Sequence, residues 1–212
     1  MKISSEVKII VSIVLACVVI LGLFVWFGPK TTVVVKDPAL LVKADSQMTG
    51  KVGAKVTLVE FADYQCPACA AISPYVKEIA DSFKTNPDFN YVYRNFPLSQ
   101  HANAVISAEA AEAAAAQGKF WEMGELLYKN QAEWEKVSEP LDVFTKYATE
   151  LKLNTAQFRL DIQMHKYQAK IKADLQDATS LSLNKTPTIF LNGVEVTDLN
   201  TLKKQIEKEL SK

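Results

Sequence analysis

A Cys-Pro-Ala-Cys sequence, residues 66–69, stands where a strand-forming run gives way to a helix-forming one, and this junction restricts the fold more than any other stretch. Val56, Thr57, Leu58, Val59 and Phe61 make a β-rich apolar run short enough for a buried strand. After the second cysteine, A-A-I-S-P-Y-V-K-E-I-A-D-S-F reads as an amphipathic helix. Pro67 suits the first helical position, where its missing N–H would have no partner anyway. Cys66 then falls at the helix N-cap, where free N–H groups and the positive end of the helix dipole favour a thiolate. Cys69, three residues on, returns to the same side of the first turn, and a disulfide needs Cα atoms roughly 4.4–6.8 Å apart. The expected roles are an exposed, low-pKa nucleophile at Cys66 and a buried resolving thiol at Cys69. A Cys-x-x-Cys at a strand-to-helix junction is a redox signal.

Glu60 interrupts the apolar strand six residues before Cys66. One reading points it to solvent at a sheet edge. The other buries its carboxyl behind the two cysteines with a raised pKa, where it exchanges a proton with Cys69. A central strand covered on both faces has no solvated side to offer, which favours the second reading.

The chain has 212 residues, with 24 Lys and Arg against 24 Asp and Glu. Its charges are interspersed, and no basic stripe of the kind nucleic-acid binding needs is present. The N-terminus differs in kind. Residues 9–27 form an apolar run broken only by Ser12, Cys17 and Gly22. At full helical rise it spans about 28 Å, close to a bilayer's hydrocarbon core. Lys2 and Lys8 precede the run, Trp26 and Phe27 end it, and no small-x-small cleavage site follows. The expected organisation is a short cytoplasmic tail (1–8), an uncleaved transmembrane signal anchor in the lipid bilayer (9–27), a spacer with at most one short strand (28–55) and one domain (56–212). Cys17 lies inside the apolar run rather than after it, which disfavours a lipid attachment site and suits a helix-packing residue.

Within the domain, residues 89–96 read as a second strand closed by Pro97, so the β-α-β order predicts a parallel pair. A helical region follows. It comprises an alanine-rich helix (102–116), a break at Gly118, a helix over 119–130, a third opened by Pro140, and a fourth from the N-cap Asn154 towards Leu181, with room for a bend. Gln157 stands at the third position of that helix, as in a capping box. Residues 186–191 read as a strand, Asn192-Gly193 as a two-residue hairpin turn, and Asp198 as the cap of a final helix over 199–210.

The run E-F-A-D-Y-Q-C-P-A-C resembles the DsbA family of thiol–disulfide oxidoreductases, in particular its membrane-anchored branch. Three later stretches match in order: Y-R-N-F-P-L at 93–98, G-K-F-W-E-M at 118–123 and T-P-T-I-F-L-N-G at 186–193. The resemblance implies an α/β thioredoxin-like fold with a helical subdomain inserted at about 98–183. It implies a dithiol oxidase whose redox-active group is a Cys66–Cys69 disulfide, with no other cofactor and no metal. Pro187 would be cis and face the thiols, while the Thr186 backbone binds an extended substrate. Ala68 replaces the histidine that many DsbA relatives carry there and cannot donate a side-chain hydrogen bond. The resemblance therefore suggests a potential between the thioredoxin-like and DsbA-like limits, roughly −270 to −120 mV. Implied partners are thiol-containing protein substrates and a quinone-linked membrane oxidase. The catalytic domain would be a monomer outside the cytoplasm, held at the cell membrane.

Two rivals share the motif. One is a membrane-tethered reductase of the same fold. The other is a non-catalytic metal or assembly factor using the two cysteines with His101 and His165, the chain's only histidines. The spacings match no compact zinc motif. His101 suits the start of a helix and His165 a helix surface.

Overall fold

The structure, a computed structural model, describes residues 35–212. The apolar run 9–27 lies outside these residues. Among the described residues no helix is long and apolar enough to cross a membrane.

In chain order the elements are α1 (Pro38–Leu41), β1 (Gln47–Met48), β2 (Val56–Ala62), α2 (Pro67–Phe83), β3 (Phe89–Asn95), α3 (Ala104–Ala115), α4 (Phe120–Lys129), α5 (Gln131–Trp134), α6 (Leu141–Glu150), α7 (Thr155–Gln163), α8 (Gln168–Ser180), β4 (Thr188–Leu191), β5 (Val194–Glu195) and α9 (Leu202–Leu210), the last entered through a 3-10 turn at Leu199–Thr201. The sheet order is β1-β3-β2-β4-β5. β2 is central, parallel to β3 and antiparallel to β4. The β2-α2-β3 start and the β4-β5-α9 end therefore complete one sheet, with α3 to α8 inserted between β3 and β4.

Alternation along β2 sorts the core into two faces. Val56 and Leu58 pack with Val76 and Ile79 of α2 and with Leu202 and Ile206 of α9. Val59 and Phe61 pack on the other face with Phe190, Ala178 of α8 and Leu41 of α1. Glu60 shares the α2 face with Leu58. The inserted helices bury a third cluster that includes Trp134, Phe144, Phe158 and Cys69.

Local signals placed several elements correctly. Asn192 and Gly193 take left-handed conformations (φ 48° and 83°) and turn β4 into β5. The Asn154 side chain accepts the Gln157 N–H at 3.0 Å and caps α7. The Gln157 side chain runs forward to Asp161 (2.6 Å) instead of back to the cap.

Other expectations are corrected. The segment expected as a spacer is structured from Val35 on. Leu41 is buried at 3% exposure, and β1 pairs antiparallel with β3. The helix expected from Asn154 towards Leu181, with room for a bend, is two separate helices. The chain turns at Met164–Tyr167, where His165 adopts φ 50°. The strand expected over 186–191 is β4 and starts at Thr188, leaving Thr186 and Pro187 in the loop before it.

Candidate active site

β2 delivers the site. After Ala62 the chain makes a tight turn in which the Cys66 N–H donates to the Asp63 carbonyl at 3.0 Å. Cys66 is the N-cap of α2, with extended backbone (φ −73°, ψ 121°), and Pro67 occupies the first helical turn. Both cysteines are free thiols. Cys69 has no exposed surface.

Cys66 is not the exposed residue expected. Pro67 and Ala68 are exposed, while Cys66 retains only 6% of its surface. The loop before β4 covers it. The Thr186–Pro187 peptide bond is cis, and the Thr186 carbonyl lies 3.5 Å from the Cys66 sulfur. The sequence expectation rested on the N-cap position alone, which says nothing of a loop 120 residues away.

The two sulfurs hold protons very differently. The Cys66 thiol is pulled down to about 5, chiefly by the hydrogen bond from Cys69, against the opposing effect of burial. The Cys69 and Ala68 backbone N–H groups help. The Thr186 hydroxyl has no hydrogen-bond partner among the described residues. Cys69 is pushed well above its ordinary value, first by its hydrogen bond to Cys66 and then by burial, with Glu60 adding to the rise. One helical turn thus carries a thiolate and a thiol that keeps its proton.

Glu60 points inward, 3% exposed, in line with the burial that the second of its two sequence readings expected. Burial raises its carboxyl to about 7, against the opposing hydrogen bond from Tyr91, whose hydroxyl donates to Oε2 at 2.5 Å. Tyr64 stacks on Tyr93 with ring centroids 5.1 Å apart, and the Tyr93 and Tyr128 hydroxyls meet at 2.9 Å. A cavity of about 600 Å³ reaches Glu60 and Tyr91 from the side of Trp121, Lys77 and Lys84. The sequence reading did not single out Tyr91. A tyrosine in an apolar strand looks like core until its partner across the sheet is known.

The histidines do not join the cysteines. His101 Nδ1 lies 2.7 Å from Asp63 Oδ2, three residues ahead of α3. His165 sits in the turn between α7 and α8, against Glu109 at 3.1 Å. Among the described residues no group of three or more His, Cys, Asp or Glu is placed to hold a metal ion.

A Cys-x-x-Cys helix leaving the central strand, facing a cis-proline loop and followed by an all-helical insertion, defines a thioredoxin fold of the DsbA-like type. Solved structures share it. BdbD from Bacillus subtilis superposes with a TM-score of 0.72 at 23% identity, over 86% of this chain and 100% of that one. The α-DsbA1 protein of Wolbachia pipientis gives 0.70 at 19%, over 81% and 94%. MdbA of Corynebacterium diphtheriae, described as a thiol-disulfide oxidoreductase, gives 0.65 at 18%, over 86% and 98%. The chain belongs to the thioredoxin family, whose model matches residues 43–208. It is also 35% identical over 173 residues to the Na(+)/H(+) antiporter NhaA 1 of Mycolicibacterium gilvum, an alignment covering 79% of this chain and 27% of that protein. The chain therefore spans about a quarter of the length of that relative.

Proposed function

We propose that this chain is a protein thiol–disulfide oxidoreductase working as a dithiol oxidase on extracytoplasmic proteins. The observation that carries the reading is the opposed proton affinity of the two sulfurs, Cys66 low and Cys69 high, on one turn of α2. A stable Cys66 thiolate favours the reduced enzyme and so makes the disulfide form oxidising.

In the oxidised enzyme a substrate thiolate attacks Cys66 Sγ. The Cys66–Cys69 bond breaks, and its electron pair leaves on Cys69, which takes a proton through Glu60. A second substrate thiolate then attacks the substrate sulfur of the mixed disulfide. The substrate disulfide forms, Cys66 departs as a thiolate, and the substrate's two electrons remain on the cysteine pair. Thr186 and Pro187 present backbone to an extended substrate segment beside Cys66, and the exposed Pro67 and Ala68 form the rest of the approach. Reoxidation falls to a membrane partner of the quinone-linked kind. Residues 9–27 anchor the chain in the bilayer with the domain outside. The ion antiport named for the longer relative is not carried over, because the shared segment is only 27% of that protein.

The test is the redox equilibrium of the full-length chain in glutathione buffers, read by thiol trapping. A potential above roughly −180 mV supports the oxidase. A value near −270 mV reverses the direction to a reductase, which Ala68, with no side-chain donor, would suit. Absence of a reversible two-electron transition rejects the oxidoreductase reading.

A further inference from the structure

Next to the thiols lies a buried carboxylate that the chemistry above does not use. Asp63 follows β2 directly and is 2% exposed. Its Oδ1 accepts the Gln65 N–H at 2.8 Å. Its Oδ2 accepts the Leu98 N–H at 2.9 Å and faces His101 Nδ1 at 2.7 Å. A buried carboxylate is held in place by such donors, because leaving one unmade costs the desolvation of a charged group. Leu98 and His101 belong to the turn after β3. In the parallel register Ala62 lies beside Asn95, so the ends of both strands open on the same edge of the sheet.

The Asp63 backbone touches both cysteines. Its carbonyl accepts the Cys66 N–H at 3.0 Å, and its N–H is directed at the Cys69 sulfur. Any rotation of Asp63 therefore moves the groups around both sulfurs. On its other side the same loop is held by the insertion. Gln65 Oε1 accepts the Asn103 N–H at 2.6 Å, and Gln131 Nε2 donates to the Tyr64 carbonyl at 2.8 Å. Asp63 and His101 supply the link from this loop to the end of β3.

We propose that Asp63 and His101 form a positioning pair that sets the placement of both active-site sulfurs, so that His101, outside the motif, tunes the redox equilibrium of Cys66 and Cys69. The inference rests on the oxidoreductase reading. His101 touches neither sulfur in this role. It acts through Asp63, and its side chain is only 18% exposed, so Tm is read beside the redox values to separate lost packing from the lost hydrogen bond.

The experiment compares His101→Leu and His101→Asn in the full-length chain. The readouts are the pH dependence of Cys66 alkylation by iodoacetamide, the equilibrium constant with glutathione and Tm. Leucine removes the donor. The midpoint of Cys66 alkylation should rise, and the equilibrium should move away from the reduced enzyme by about threefold or more, a fraction of the tenfold that one pKa unit represents. Asparagine offers an amide N–H where the ring Nδ1 stood and should return both values close to wild type. Unchanged alkylation and equilibrium in the leucine variant, with only Tm lowered, would overturn the proposal and leave the pair a structural brace. Leucine and asparagine shifting both values equally would also overturn it, since the hydrogen bond would then not be the cause. A wild-type chain with no glutathione transition would reject the oxidase reading. The alkylation profile would then decide the positioning role on its own.

Discussion

Strands β2 and β3 bury charge at two places, and what faces each charge differs. On the α2 face Glu60 has no cation within hydrogen-bond distance among the described residues. Its polar partner is the Tyr91 hydroxyl, and burial raises its carboxyl to about 7. On the opposite face the Arg94 guanidinium, with no exposed surface, is engaged at all three of its nitrogens. It donates to Asp174 (2.8 Å), to Asp177 (2.6 Å) and to the Leu40 and Leu41 carbonyls, both at 3.0 Å. Asp174 also accepts the Asn95 backbone N–H at 3.1 Å. Burial alone therefore does not make a reactive acid. An acid with its cation beside it fastens α8 and α1 to the sheet, whereas one left with a hydroxyl can give and take a proton near neutrality.

Removing the cation from the paired site breaks the comparison most severely. Arg94→Met keeps most of the side-chain volume but takes the buried cation from both carboxylates, leaving Asp174 with Lys170 at 3.5 Å and Asp177 with Lys43 at 3.3 Å, and one partner lost from a buried ion pair costs about 3–5 kcal/mol. Denaturant unfolding should show that loss, while the pH dependence of Cys66 alkylation in the folded protein stays where it was. A variant as stable as the parent would mean that Asp174 and Asp177 reach water when unpaired and that the two sites are alike after all.

Glu60→Gln should act in the opposite direction on stability. The folded pKa of Glu60 lies above its unfolded value, about 7 against 4.5, so the native state binds more protons between those pH values and stability falls as pH rises through them. The fold is unburdened below pH 4.5 and carries the full penalty above about 7. The shift corresponds to about 3 kcal/mol at 1.36 kcal/mol per unit. Glutamine should recover much of this at pH 8, and the fall in stability between pH 4.5 and 7 should flatten. Thiol exchange should slow by about 10²-fold, the lower end for loss of a general acid–base. An exchange rate unchanged by glutamine would remove Glu60 from the chemistry and leave it a buried acid that merely costs stability.

The two sites were unequally legible in the sequence, for a physical reason. Glu60, Cys66 and Cys69 share one strand-turn-helix unit, so the apolar run of β2 and the helix N-cap placed them without knowledge of the rest. The hairpin at Asn192-Gly193 and the Asn154 cap were legible for the same local reason. Arg94 and Asp174 are 80 residues apart, and Tyr91 is 31 from Glu60, so no periodicity joins them. The α1 segment read as spacer because its place depends on Leu41 filling the core and on its carbonyls receiving Arg94, both long-range facts. The place of the turn at His165 escaped because no glycine or proline marks it. A histidine takes the left-handed conformation there and meets the buried Glu109 from α3.

The finest test of the contrast is Tyr91→Phe. It removes the donor from Glu60 and keeps the ring, whose packing on Trp121 (centroids 5.2 Å apart) should survive. The hydroxyl stabilises the ionised carboxyl, so its loss should raise the Glu60 pKa above its value of about 7. The change should be about one unit, since a hydrogen bond to a charged group contributes roughly 1.5–3 kcal/mol and water from the cavity replaces part of it. Infrared titration of the carboxyl band reads it directly, and the pH profile of exchange should move the same way. Tyr93→Phe is the control. Its hydroxyl meets Tyr128 rather than Glu60, and the Glu60 midpoint should stay in place. If Tyr91→Phe leaves the midpoint still while Tyr93→Phe moves it, the proton on Glu60 is governed by the tyrosine layer beside it and not by its own hydrogen bond.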